Sequence, residues 1–150
     1  MFAPKRILVP TDFSDYSDNA LRYAIDIARQ YGAKVLLLHV IDENIQQCTF
    51  EYCLTDDVMK QIEQESKIRT AEKFREEINR LGENTSDVAI ESIVKRGIPY
   101  DEILREQVEK NIDLIVIASH GRTGISRILI GSVAEKVMRE AKCPVMLLRK

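Results

Sequence analysis

The residues best suited to chemistry lie in Ser119-His120-Gly121-Arg122-Thr123-Gly124, directly after the apolar run Leu114 to Ala118. Glycine permits positive φ and lets the main chain approach a ligand with no Cβ in the way. Seven residues beyond Gly124 stands Gly131-Ser132, at the mouth of a helical pattern. A helix mouth presents unpaired amides and a partial positive charge, so it favours phosphate. Gly131 would allow close approach there, and the Ser132 hydroxyl could donate a further bond. Loop and helix mouth together could hold a polyphosphate with few charged side chains. Each piece also has an ordinary explanation. Ser132-Val133-Ala134-Glu135 reads equally as a capping box that satisfies the helix's own amides.

Asp12 follows the first apolar run, in Pro10-Thr11-Asp12. It could accept bonds from a ribose or base, help hold a metal, or simply be an acid favoured at the start of a helix. His120 could touch phosphate or cap its own loop. His39, inside an apolar run, reads as a satisfied core histidine. Arg122 and Arg127 fit phosphate partners or interface residues equally well. Other nucleotide and nucleophile signatures fail: Gly-x-x-x-x-Gly-Lys-Ser/Thr, Gly-x-Gly-x-x-Gly and Gly-x-Ser-x-Gly are all absent.

The elements that must position these residues alternate. Dense apolar runs at Ile7 to Val9, Val35 to Val40, Leu114 to Ala118 and Val145 to Leu148 read as strands, and the last run, if at a sheet edge, invites pairing with another copy. Val88 to Val94 alternates and reads as a half-exposed strand near an edge. Helical spacing runs from Ala20 to Tyr31 and closes at Gly32. A second helix carries Val58, Ile62, Ala71, Phe74, Ile78 and Leu81 inward, with Lys60, Glu63, Lys67, Glu72, Lys73, Glu76 and Glu77 on a solvated face. A third begins near Pro99 with Ile103, Leu104 and Val108 inward, and a fourth opens at Ser132 and ends at Pro144. The order β-α-β-α-β-α-β-α-β implies a single α/β domain over residues 1–150. It would be an open parallel sheet with helices on both faces. Ligands in such sheets bind beyond the carboxyl ends of the strands. The long connection Asp42 to Thr55 could be a lid or a variable surface loop.

Composition narrows the classes. At 150 residues, 45% hydrophobic and 31% charged, the chain is ordinary for one globular domain rather than disordered. No apolar run approaches the ~20 residues of a membrane span. A net charge of -2 gives no broad nucleic-acid footprint. Cys48, Cys53 and Cys143 offer neither a disulfide framework nor zinc spacing. The opening Met1 to Arg6 reads as the approach to a strand rather than a leader, and a cytoplasmic location is expected.

The ordered set of motifs resembles the universal stress proteins along essentially the whole chain. It comprises Ile7-Leu8-Val9-Pro10-Thr11-Asp12-Phe13-Ser14, His39-Val40, Gly97-Ile98-Pro99 with Glu102-Ile103, Ser119 to Gly124, Gly131 to Val137, and Cys143-Pro144-Val145. The ATP-binding branch of that family carries Gly-x-x-Gly, nine residues, then Gly-Ser/Thr. Here Gly121, nine residues and Gly131-Ser132 match, while Ala118 replaces the first glycine. A methyl group there would crowd the ribose side if that backbone had positive φ, and would be mild otherwise. The resemblance implies five parallel strands in order 3-2-1-4-5, of the adenine-nucleotide alpha-hydrolase-like type, and a homodimer through the last strand. It implies ATP or AMP as ligand, with Mg2+ or Mn2+ accompanying ATP. Adenine would lie near Val40 and ribose near Pro10, Asp12 and the Ala118 turn. Phosphates would lie over Gly121, Arg122, Thr123 and Gly124 and at Ser132, Val133 and Ala134, and Thr11, Ser119, His120 and Gly131 complete the expected site.

The leading reading is therefore a nucleotide-binding stress-response protein whose partner interactions follow the bound nucleotide, with slow ATP hydrolysis at most. No catalytic constellation is legible, and no catalytic or metal-ligating residue is assigned. The alternative is a nucleotide-independent dimeric interaction protein of the same fold, for which Ala118 is the best support. A phosphatase or ATP-consuming ligase of related architecture is a third reading. A response-regulator receiver fits poorly, because Val94-Lys95-Arg96 occupies the place of its phosphoacceptor.

Overall fold

The computed structural model describes residues 1–42, 55–82, 85–121 and 129–149. Among these residues five strands and four helices alternate: β1 (Arg6–Pro10), α1 (Asp15–Tyr31), β2 (Lys34–Asp42), α2 (Asp56–Arg80), β3 (Ile90–Gly97), α3 (Pro99–Glu109), β4 (Leu114–Ala118), α4 (Ser132–Glu140) and β5 (Val145–Leu148). The strands form one parallel sheet in order β3-β2-β1-β4-β5, as the motifs implied. No helix among the described residues is long and apolar enough to cross a membrane.

Period-two alternation sorts the sheet's side chains between two cores. Ile7, Val9, Val35, Leu37, Leu114 and Val116 pack beneath α1 and Phe74 of α2. Leu8, Leu36, Leu38, Ile115 and Ile117 face the other way, onto Ile103 of α3 and Ala134 and Val137 of α4. The central strands are buried on both faces, which is why they read as unbroken apolar runs. The edge strand β3 alternates instead, as expected. Its span is shifted: Val88 is buried but precedes the strand, which runs on to Gly97.

Helix limits follow local chemistry. α1 begins five residues before its apolar face, because Ser14 caps it by accepting from the Ser17 amide. It ends at Gly32, whose φ of 62° suits a residue without a Cβ. α3 starts at Pro99, where the missing N–H has no cost.

Three sequence expectations need correction. α2 does not bury its whole apolar stripe: Val58, Ile62 and Ala71 are exposed, and its buried residues are Thr70, Phe74 and Glu77. All three buried residues lie in its second half, so Val58 and Ile62 of the first half stay outside the core. Glu77, assigned to the solvated face, is fully buried because it shares the inward i, i+3 side of the helix with Phe74. In α3, Val108 is exposed and Glu102, Ile103, Glu106 and Gln107 face inward. Glu106 is buried against Lys95 of β3 at 2.7 Å, so its charge is paired across the edge of the sheet.

Candidate functional site

β1 leads into α1 on one face of the sheet, while β4 leads into α4 on the other. The β1–β4 ladder pairs Ile7 with Leu114 and Leu8 with Ile115, and the strand ends beyond are not laddered. A crevice therefore opens where adjacent connections diverge. It is a cleft of about 440 Å³, bordered by Pro10, Thr11 and Asp12 from β1 and by Leu38, His39, Val40 and Asp42 from β2. Ile117, Ala118, Ser119, His120 and Gly121 close it from β4, and Gly131 to Ala134 from α4. Every described member of the expected site thus lies on one wall or another. Arg122, Thr123 and Gly124, with Arg127 and most of the Asp42 to Thr55 connection including Cys48 and Cys53, lie outside the described residues.

The two glycines earn their places by contact. A Cβ on Gly121 would stand 2.7 Å from Asp12 Oδ2, closer than real Cβ contacts, so the β4 loop and the β1 turn can meet only over a bare Cα. A Cβ on Gly131 would stand 3.3 Å from the Ser119 carbonyl oxygen. The Gly131 amide donates to that same oxygen at 2.7 Å, which returns the chain to the end of β4 and fixes the mouth of α4 beside it. Gly131 therefore serves the close approach of its own chain to the end of β4.

The capping-box reading of Ser132 fails. The N-cap is Gly131, Ser132 is the first helical residue, and the first intrahelical bond runs from the Glu135 amide to the Gly131 carbonyl. No side chain caps the helix, and Glu135 instead pairs with Arg139 at 2.7 Å. The amides of Ser132, Val133 and Ala134 precede that first bond and have no partner within the helix. Ala118 is an ordinary strand residue paired with Leu148, and positive φ outside glycine occurs, among the described residues, only at Phe13 and Asn111. The methyl group of Ala118 is thus the mild case.

The β1 turn is built to hold Asp12. Asp12 Oδ1 accepts from the Ser14 amide at 3.1 Å and the Ser14 hydroxyl at 2.5 Å. Thr11 Oγ1 accepts from the Phe13 amide at 2.9 Å. Those bonds keep Phe13 at φ 62°, a conformation costing of order 1 kcal/mol for a side chain of its kind. The Phe13 ring rests 4.5 Å from His39 and 5.3 Å from Phe74. Asp12 is therefore both a local turn acceptor and a carboxylate at the cleft. Thr11 borders the cleft, but its polar groups are engaged within the protein. Its amide donates to the Leu38 carbonyl, its carbonyl meets His39 Nδ1 at 2.9 Å, and its hydroxyl turns inward to Glu77 Oε1 at 2.6 Å.

His39 is hydrogen-bonded as a core histidine would be, yet it is half-buried and borders the cleft. Ser119 is buried and acts as a latch: its amide donates to the Leu148 carbonyl, its carbonyl accepts from Gly131, and its hydroxyl lies 2.7 Å from His120 Nδ1. Sequence reasoning did not assign Leu38, Asp42, Pro99, Ile103 or Ile117 to the site. Leu38, Pro99, Ile103 and Ile117 make its apolar side with Val40, and Asp42 adds a second carboxylate to its border. Their only signal was position: strand ends of β2 and β4, and the helix start after β3. Among the described residues no three His, Cys, Asp or Glu side chains gather as a metal site.

The comparisons agree with this architecture. A profile of the universal stress protein family matches residues 4–149. Universal stress protein MJ0531 of Methanocaldococcus jannaschii is 35% identical over 149 residues, which span 97% of this chain and 82% of that one. Among solved structures, universal stress protein UspA from Lactobacillus plantarum matches with a TM-score of 0.78 at 26% identity, over 98% of this chain and 99% of the other. A universal stress protein solved in complex with cAMP shares the fold, with a TM-score of 0.70 at 24% identity over 98% of each chain. By motif order, strand order and whole-length match, this chain belongs to the universal stress protein family.

Proposed function

We propose that the chain binds an adenine nucleotide, ATP or AMP, in the cleft between β1 and β4 and acts as a nucleotide-dependent regulatory homodimer in the cytoplasm. One observation carries the reading: an apolar slot and a helix mouth without a side-chain cap open into a single cleft of about 440 Å³. That volume is within the usual range for small-molecule sites. A planar base fits the slot of Leu38, Val40, Pro99 and Ile103. The Asp12 carboxylate accepts from ribose hydroxyls and repels phosphate, so the phosphates turn toward the amides of Ser132, Val133 and Ala134. Membership of the family, and the cAMP complex of a protein with the same fold, support a nucleotide ligand.

Mg2+ or Mn2+ fits this cleft as a companion of ATP, since Mg2+ keeps several waters and needs only one or two carboxylates beside phosphate oxygens. Asp12 and Asp42 are the carboxylates that border the cleft, and a cation beside either would offset its repulsion of phosphate. ATP turnover in this reading is slow at most, because Asp12 and His120 are tied into the bonds of their own loops. Dimerisation would use the edge strand β5. Pro144 and Leu148 carbonyls accept from β4, so by alternation the backbone groups of Val145 and Leu147 point away from the sheet and can pair with a second copy. Calorimetric titration of the purified chain with ATP, ADP and AMP tests the proposal. Saturable binding at one site is expected, and no heat at millimolar ligand overturns it.

A further inference from the structure

Beneath the β1–α1 turn lies a fully buried carboxyl group, Glu77 of α2, for which the nucleotide site itself has no direct use. Its Oε1 is 2.6 Å from Thr11 Oγ1. Its Oε2 is buried with no hydrogen-bond donor. Asp18 of α1 lies close enough to share a hydrogen bond with Glu77 if one of the two carries a proton. Asp18 is already held as an anion by Arg80, at 2.9 Å and 3.0 Å. The proton therefore belongs on Glu77, where it gives Oε2 its missing partner.

We propose that, granted the nucleotide reading, Glu77 is a positioning residue that acts through Thr11: its uncharged carboxyl group holds the β1–α1 turn in the nucleotide-binding arrangement, and loss of that one proton to solvent weakens binding.

Neutral Glu77 donates from Oε2 to Asp18 and accepts from the Thr11 hydroxyl at Oε1. Thr11 Oγ1 in turn accepts from the Phe13 amide and touches Ser17 Oγ at 3.0 Å, whose hydrogen goes to the Ser14 carbonyl. Ser14 holds Asp12. The Thr11 hydroxyl, which donates to Glu77 and accepts from the Phe13 amide, thus links the buried carboxyl group to the turn that carries Asp12. Ionisation sets two anions against each other in a medium of low polarity. Glu77 then draws back from Asp18, Thr11 follows Oε1, and the new negative charge beneath the turn opposes the nucleotide phosphates.

The charged groups around Glu77 come from each packed element. α1 supplies Asp18, and α2 itself supplies Arg80. Glu76 and Lys73 share α2, with Lys73 over the Phe13 ring, and Arg22 of α1 donates to the Arg80 carbonyl. His39 of β2 approaches the same layer through Phe13 and Phe74. Burial, then the Asp18 charge, raises the Glu77 carboxyl from 4.5 to about 7, against the lowering effects of Thr11 and Arg80.

AMP affinity measured from pH 5.5 to 8.5 for the wild type and Glu77→Gln tests this. The glutamine keeps both the donor to Asp18 and the acceptor for Thr11 but cannot ionise. Histidine and AMP phosphate titrations are common to both proteins and cancel in the ratio of affinities. The wild type should match Glu77→Gln at pH 5.5 and fall to about a third of its affinity or less by pH 8.5. A second readout needs no ligand: the Phe13 amide resonance should titrate near pH 7 in the wild type and stay fixed in Glu77→Gln. A Phe13 amide that does not titrate, or a ratio constant across pH while AMP binds, overturns the inference and leaves the nucleotide reading standing. A titrating amide with no AMP or ATP binding by either protein overturns the nucleotide reading and, with it, the coupling.

Discussion

At Gly121 the chain has no room for a side chain, since Asp12 Oδ2 would stand 2.7 Å from its Cβ. Gly121→Ala must displace the carboxylate that the turn is built to hold. The expected outcome is at least a tenfold loss of AMP affinity, about 1.4 kcal/mol, by calorimetric titration. Gly131→Ala meets a backbone oxygen instead, and that is harder to move. It should cost about 1 kcal/mol of folding stability, seen as a Tm lower by a few degrees. Glu77 makes stability depend on pH. Its carboxyl keeps a proton in the fold up to about pH 7, whereas the unfolded chain releases it near 4.5. The native state therefore binds more protons between those values. Its contribution is full below pH 4.5 and is lost as pH rises through 7, by on the order of 3 kcal/mol. Urea unfolding from pH 4.5 to 8 should show the Glu77→Gln variant gaining on the wild type by that order. Parallel curves would mean that Glu77 titrates alike in both states.

Among the elements, α2 divides in two. Phe74 is buried in the core while Ile62 is exposed, although both sit on the helix's apolar stripe. Phe74→Ala should cost about 3 kcal/mol and Ile62→Ala less than about 0.5 kcal/mol in urea unfolding. The periodicity was legible, because i, i+4 spacing needs only the chain. Which turns of the helix meet the sheet was not, because that depends on where the sheet ends. Glu77 illustrates the same limit. A glutamate is assigned to solvent by type, yet burial with Thr11 and Asp18 as partners makes it tolerable inside. The mouth of α4 was legible as a helix start, but capping and anion-binding readings shared the same letters. The structure removes the capping-box reading, because Gly131 is the N-cap and no side chain caps the helix.

For the whole molecule, β5 and β3 are the two edges of the sheet, and a second copy is the proposed partner of β5. Light scattering should give a dimer mass. Leu147→Pro removes an outward N–H and should give a monomer with an unchanged circular dichroism spectrum. The residue order alone determined the alternation of strands and helices, the parallel sheet and the crevice end where the candidate site lies, because local periodicity and right-handed crossovers leave few alternatives. The tertiary structure alone decided that Ala118 keeps ordinary strand geometry, that Thr11 turns inward, and that Glu77 lies buried beneath the turn. Those outcomes depend on atoms far apart in the chain. Glu77 and Thr11 are separated by 66 residues, and no local pattern reports a contact of that kind.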